Sequence, residues 1–115
     1  MIDTDTATAR RVAGVLAARM SDTATARRVV GVLAVEFGVW PQDVWGRTLE
    51  RRIVRVRHWC WWMLVRRHGW SRVRVAKAFG RDDTTVGYGV RRCDRLIRRK
   101  EVPAEIADLI EKEVA

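Results

Sequence analysis

Within residues 79–99, FGRDDTTVGYGVRRCDRLIRR, apolar side chains fall at Val86, Val90, Cys93 and Ile97. Steps of i, i+4, i+7 and i+11 trace one face of an α-helix and fit no strand. The opposite face carries Arg91, Arg92, Arg95, Arg98 and Arg99. Gly80-Arg81-Asp82 reads as a short turn that opens this helix, and two aspartates and two threonines occupy its beginning. One face to bury, one basic face and a polar tip suit a helix that projects its first turn into a groove. Two glycines, Gly87 and Gly89, lie inside it. Each costs about 1 kcal/mol relative to Ala, so a close approach to DNA or to the long helix over 51–68 is one expected reason for them, and neutral drift is the other.

The charge pattern points the same way. The chain of 115 residues has a formal net charge of +9, and the excess is local. Residues 46–100 hold seventeen Lys/Arg against four Asp/Glu, whereas the tail beyond Lys100 holds one Lys against five acids. A dense basic block interleaved with a helical core predicts a polyanionic partner. Cys60 and Cys93 form no CxxC, and His58 and His68 stand alone, so buried thiols are expected, with no metal and no cofactor. No apolar run reaches membrane-spanning length, and the N-terminus lacks the apolar core of a signal peptide, which predicts a cytoplasmic protein.

Three segments are expected: an N-terminal extension (1–21), a helical domain (22–102) and a C-terminal amphipathic helix (103–115). The extension repeats the segment after it: DTATARRVAGVLAARM at residues 5–20 recurs as DTATARRVVGVLAVEF at residues 22–37. A shift of 17 residues rotates a helical face by about 260°, so two separate helices are predicted, with Ser21 or Asp22 capping the second. Val29, Val30, Val32, Leu33 and Phe37 should face inward. Gly38 should end that helix, and residues 41–45 should form a short turn of helix starting at Pro41.

After a loop at 46–50, a long helix is expected over 51–68, with Ile53, Val56, Cys60 and Met63 or Leu64 in one stripe. Trp59, Trp61 and Trp62 cannot all lie on that stripe, so Trp61 or Trp62 should be partly exposed. Gly69 should end the helix, and Ser71 should cap a short helix over 72–79 with Val75 and Phe79 inward. Beyond Pro103, Ile106, Leu109 and Ile110 should pack onto the bundle. Two helices joined by a Gly-containing turn, the second long and basic, form the helix-turn-helix pattern, so the expected class is an all-α small helical bundle containing that motif.

These residues carry a family resemblance. FGRDDTTVGYGVRRCDRL resembles the signature of the C-terminal DNA-binding domain (domain IV) of the bacterial replication initiator DnaA, roughly FGGRDHTTVxHAxRKI. IVRVRHWCWWML at residues 53–64 is similar to the family's xxAxPRQxAMYL helix, and VVGVLAVEFGVWPQDVWG at residues 29–46 to the helix and turn that open the domain. The resemblance spans residues 22–99. It implies a TrpR-like helical bundle that reads a duplex box, with one helix in the major groove and a basic loop in the adjacent minor groove. It places Arg81, Asp82, Thr84 and Thr85 at base- or phosphate-contacting positions and Arg57 at a phosphate-contacting one. Ser71, Arg72 and Val73 match a helix start whose amides face phosphate.

Three positions depart from the pattern. The turn has one Gly instead of two. Asp83 replaces a base-contacting His, which should change the preferred sequence. Thr48 and Leu49 stand where Lys/Arg is usual, leaving Arg47, Arg51 or Arg52 to reach the minor groove. No GxxxxGK[ST] phosphate loop occurs. The implied protein is a free-standing domain of phage, prophage or accessory type that binds double-stranded DNA as a monomer, at a replication origin or as a small regulator. The alternative is a protein-interaction module that uses Trp59, Trp61 and Trp62 or the N-terminal repeat. Asp82 and Asp83 offer no base in reach for general acid–base chemistry, so no enzyme is expected.

Overall fold

The computed structural model describes the backbone of residues 2–114 and the side chains of residues 9–13 and 22–111. Among the described residues there are helices and turns and no strand. The order is α1 (Ile2–Phe37), α2 (Pro41–Trp45), α3 (Arg51–Trp62) with a π-helical continuation (Met63–Arg67), α4 (Arg72–Phe79), α5 (Asp83–Arg98) and α6 (Ala104–Val114). The all-α expectation holds.

Helix α3 is the centre, with α1, α2 and α5 packed against it. A helix covered on several sides needs no single apolar stripe. Ile53, Val56, Cys60, Met63 and Leu64 are buried, and so are Trp59, Trp61 and Trp62. The expected partial exposure of Trp61 or Trp62 is therefore wrong, because α5 and α1 cover the faces that a stripe argument leaves open. Trp61 meets the Phe79 ring edge-on at 6.0 Å between centroids, and the Trp62 indole N–H donates to Asp94 Oδ1 at 3.0 Å. The same carboxylate accepts from Arg66 Nη2 at 2.7 Å, which ties α5 to the π-helical segment.

Helix α1 corrects a second expectation. It runs unbroken through both copies of the repeat. Between Gly14 and Gly31 the chain has neither Gly nor Pro, and its Ala, Arg, Leu and Met residues favour helix strongly enough to override a cap at Ser21 or Asp22. The predicted rotation of the two faces then takes effect. Val29 is 7% exposed in the second copy, while its counterpart Val12 is 53% exposed. Ala26, Val30, Leu33, Ala34 and Phe37 complete the buried face, whereas Val32 points outward, contrary to expectation.

The helix ends follow the turn chemistry. Gly38, Gly69 and Gly80 have φ of +66°, +71° and +63°, the left-handed conformation that stops a helix at low cost only with glycine. Helix α6 buries Ile106 and Ile110 and packs on α1, and Arg67 Nη2 donates to the Ile110 carbonyl at 3.0 Å.

Gly89 shows why α5 tolerates a poor helix former. A Cβ there would lie 2.8 Å from ring carbons of both His58 and Trp61, two buried side chains of α3. The helices touch through a missing side chain. Gly89→Ala is expected to destabilise the protein by a net of about 1–2 kcal/mol, overpacking outweighing the gain in helix propensity, as urea unfolding would show.

Candidate nucleic-acid interface

Helix α4 starts at Ser71, whose Oγ accepts the Arg74 amide at 3.1 Å. The amides of Arg72 and Val73, in the first turn, have no helical carbonyl to meet. Gly80 ends α4, and the Arg81 amide returns to the Ala76 carbonyl at 2.9 Å. The chain thereby turns within three residues and enters α5 at Asp83, with Asp82 as its N-cap residue. The Asp82 carboxylate makes no capping bond. Asp82, Asp83, Thr84 and Thr85 are all exposed, while Val86, Val90 and Cys93 on the opposite side of α5 are buried. The buried side fixes the axis of α5, and the first turn stands out from the bundle.

The loop at 46–50 lies beside this turn, and two arginines cross between them. Arg81 donates from Nη2 to the Gly46 carbonyl and from Nη1 to the Phe79 carbonyl at 3.0 Å. Arg47 Nη2 reaches back to the Gly80 carbonyl at 3.5 Å. The two segments are held in register although 33 residues separate them.

Arg57 lies beneath them and is only 3% exposed. Its guanidinium donates to the carbonyls of Val44 (2.8 Å), Gly46 (3.0 Å), Asp43 (3.1 Å) and Thr48 (3.1 Å). This corrects the phosphate contact expected of Arg57, since its donors already hold the end of α2 and the loop. A long cation inside the bundle needs such acceptors, and the carbonyls at the end of a short helix and in the loop supply them. Burial first, and then Arg81, lowers the pKa of Arg57 below its ordinary value; burial and then Arg47 do the same to Arg81. Like charges crowd at this point, which favours an arriving anion.

The other expected residues reach the surface. Arg47, Arg51, Ser71, Arg72 and Val73 are exposed, and Arg81 is half-buried. Leu49 is 85% exposed in the loop. Arg52 turns the other way and donates from Nη2 to the Phe37 carbonyl at the end of α1. Gly87 brings α4 and α5 together: a Cβ there would lie 2.8 Å from Arg72 Nη1 and 3.1 Å from Arg91 Nη1. Two guanidiniums thus occupy the space above a missing side chain, and Ser71, Arg72, Gly87 and Arg91 line one groove. Close approach to DNA or to the long helix was the expected reason for this glycine, and the fold brings Arg72 of α4 over it instead.

His58 also had no assigned role. Arg92 Nη1 lies 3.3 Å from its Nδ1, and the ring centroids of Trp61 and Tyr88 lie 5.4 and 6.1 Å from its own. Burial, then Arg92, then Arg57 push its pKa down to about 4. The folded state therefore binds this proton less readily than the unfolded chain, whose pKa is about 6.5. Stability should fall as pH drops from about 6.5 towards 4. Denaturant titrations across that window should show a flatter pH dependence for His58→Gln.

Among the described residues no three His, Cys, Asp or Glu side chains gather as a metal site. Cys60 and Cys93 are free and buried. Burial pushes both thiol pKa values up, that of Cys93 to about 12, and so suppresses thiolate chemistry. The Trp59, Trp61 and Trp62 surface expected for a protein partner does not exist, because all three rings are in the core. Among the described residues no helix is long and apolar enough to cross a membrane. Comparison with protein-family models, with curated proteins and with solved structures finds no match to this chain.

Proposed function

We propose that this chain is a sequence-specific binder of double-stranded DNA, with α4, the turn and α5 acting as a helix-turn-helix. The observation that carries this is the exposed first turn of α5, anchored by its buried face and tied through Arg81 and Arg47 to the loop that leads into Arg51 at the start of α3. In this arrangement Asp82 and Asp83 accept from cytosine N4, and Thr84 and Thr85 touch thymine methyl groups in the major groove. The Arg72 and Val73 amides receive a phosphate at the start of α4, with the Arg72 and Arg91 guanidiniums beside it. Leu49 is apolar and Arg52 is engaged with α1, so the minor-groove contact falls to Arg47 or Arg51.

The resemblance to the C-terminal domain of DnaA supports the same assignment of the turn and α5, and a role at a replication origin or as a small regulator. It does not extend to Arg57, which holds the loop from beneath. Phosphate contacts make binding salt-dependent. Titration of a labelled duplex should show affinity falling about a thousandfold between about 50 and 200 mM salt for about six contacts. An affinity indifferent to salt would count against a DNA interface.

A further inference from the structure

Beside the helix-turn-helix, α1 and α4 form the walls of a cleft of about 740 Å³. Asp22 and Arg27 stand on the α1 wall, Arg74 and Lys77 on the α4 wall, and Trp45 and Trp70 belong to its lining. None of the residues assigned to DNA lines it. Small-molecule sites have volumes of about 300–1,000 Å³ and combine aromatic walls with a few polar groups, as this cleft does.

The rings and the charges differ in what the fold leaves unsatisfied. Trp45 stacks on the buried Phe79 ring, with centroids 4.3 Å apart and an interplanar angle of 20°, yet remains only half-buried. One face of the indole is covered, and the rest of the ring borders the cleft. Arg74 places its guanidinium carbon 4.0 Å from the centroid of the Trp70 ring and pairs with Asp22 of the opposite wall. Its charge and its face are both engaged within the fold. Arg27 and Lys77 are exposed, and among the described residues neither has a carboxylate partner. The cleft therefore holds one uncompensated cation on each wall and an indole stacked on one side only.

We propose that this cleft binds a small ligand in which a planar aromatic ring is linked to an anionic group, a carboxylate or a phosphate. The ring continues the stack of Phe79 and Trp45, an arrangement that aromatic rings favour. The anion is received by Arg27 and Lys77 in charge-assisted hydrogen bonds. An anion without a ring leaves the indole uncovered, and a ring without a charge leaves both cations unpaired, so neither half binds as well as the whole. Binding in the cleft does not depend on the DNA reading, since no duplex takes part.

Isothermal titration calorimetry of the full chain tests this with AMP and indole-3-acetate as ring-bearing anions, and with adenosine, inorganic phosphate and acetate as their halves. AMP, indole-3-acetate or both should bind with a Kd below about 1 mM, at least about tenfold more tightly than any of the halves. The tighter of the two tells a phosphate ligand from a carboxylate one. Arg27→Met and Lys77→Met, at exposed positions, should each weaken binding about tenfold and leave the melting temperature unchanged. Ala78→Glu, also exposed and lining the cleft, should abolish binding by placing a carboxylate among the cations. No binding of either ring-bearing anion would overturn the proposal. So would binding that inorganic phosphate or acetate alone reproduces, or binding that Arg27→Met or Lys77→Met leaves unmoved. Binding lost with Arg72→Met and retained in Lys77→Met would belong to the surface beside α5 and would overturn it as well.

Discussion

Arg57→Ala is expected to destabilise the protein by about 3–5 kcal/mol, because it leaves the Val44 and Thr48 carbonyls without a donor and takes one donor each from those of Asp43 and Gly46. Four backbone oxygens, those of Asp43, Val44, Gly46 and Thr48, converge on one guanidinium. No other described side chain is shown donating to Asp43, Val44 or Thr48, while Gly46 is shared with Arg81. The loss should appear as a lower denaturant midpoint and as faster amide exchange across residues 43–48. Arg57→Lys should recover little, since one ammonium cannot reproduce the planar spread of donors. A stability change below about 1 kcal/mol would show that the loop holds itself and that Arg57 is free for another task.

Arg81→Ala and Thr85→Ala should each weaken specific DNA binding by about 1–3 kcal/mol, roughly 5- to 150-fold, while reducing discrimination between sequences. The two should differ in kind. Thr85 is exposed in the first turn of α5 and makes no bond on which the fold depends, so Thr85→Ala should leave stability within about 0.5 kcal/mol and the salt slope intact. Arg81 also ties the turn to Gly46. Its loss should lower the salt slope by about 1 and loosen the loop carrying Arg47. Competition assays with specific and random duplexes separate these effects. If neither substitution changes the specific-to-nonspecific ratio, α5 is not the reading helix.

What the sequence revealed and what it concealed divide on physical lines. Helix ends at Gly38, Gly69 and Gly80, the Ser71 cap and the short α2 behind Pro41 are local decisions made by a few residues, and they were legible. So was the buried face of α5, because Val86, Val90 and Cys93 recur at helical spacing. The break expected in α1 is absent because helix continuity depends on propensity and not on which face can be buried. The copies share one helix, and Ala9, Val12 and Ala13 of the first are exposed where Ala26, Val29 and Val30 of the second are buried. Trp61 and Trp62 were misjudged because periodicity describes a helix with one neighbour, and α3 has several.

At the candidate site the surface residues were legible and their supports were not. Asp82, Asp83, Thr84 and Thr85 announce an exposed helix start by polarity alone. Arg57 in a sequence looks like any other arginine in a basic run. Its acceptors are backbone carbonyls 9 to 14 residues away, which leave no trace in side-chain identity. The glycines of α5 pointed to close approach, and the fold divides them: Gly89 against His58 and Trp61 of α3, Gly87 beneath Arg72 of α4.

The central claim, that the first turn of α5 reads duplex DNA, is tested most directly by selecting bound duplexes from a random-sequence pool at physiological salt and sequencing them. The account predicts one short enriched motif, asymmetric if a single chain reads it, with cytosine favoured opposite the aspartates and the enrichment lost in Thr85→Ala. A pool that emerges with no enriched sequence, bound through charge alone, would contradict it.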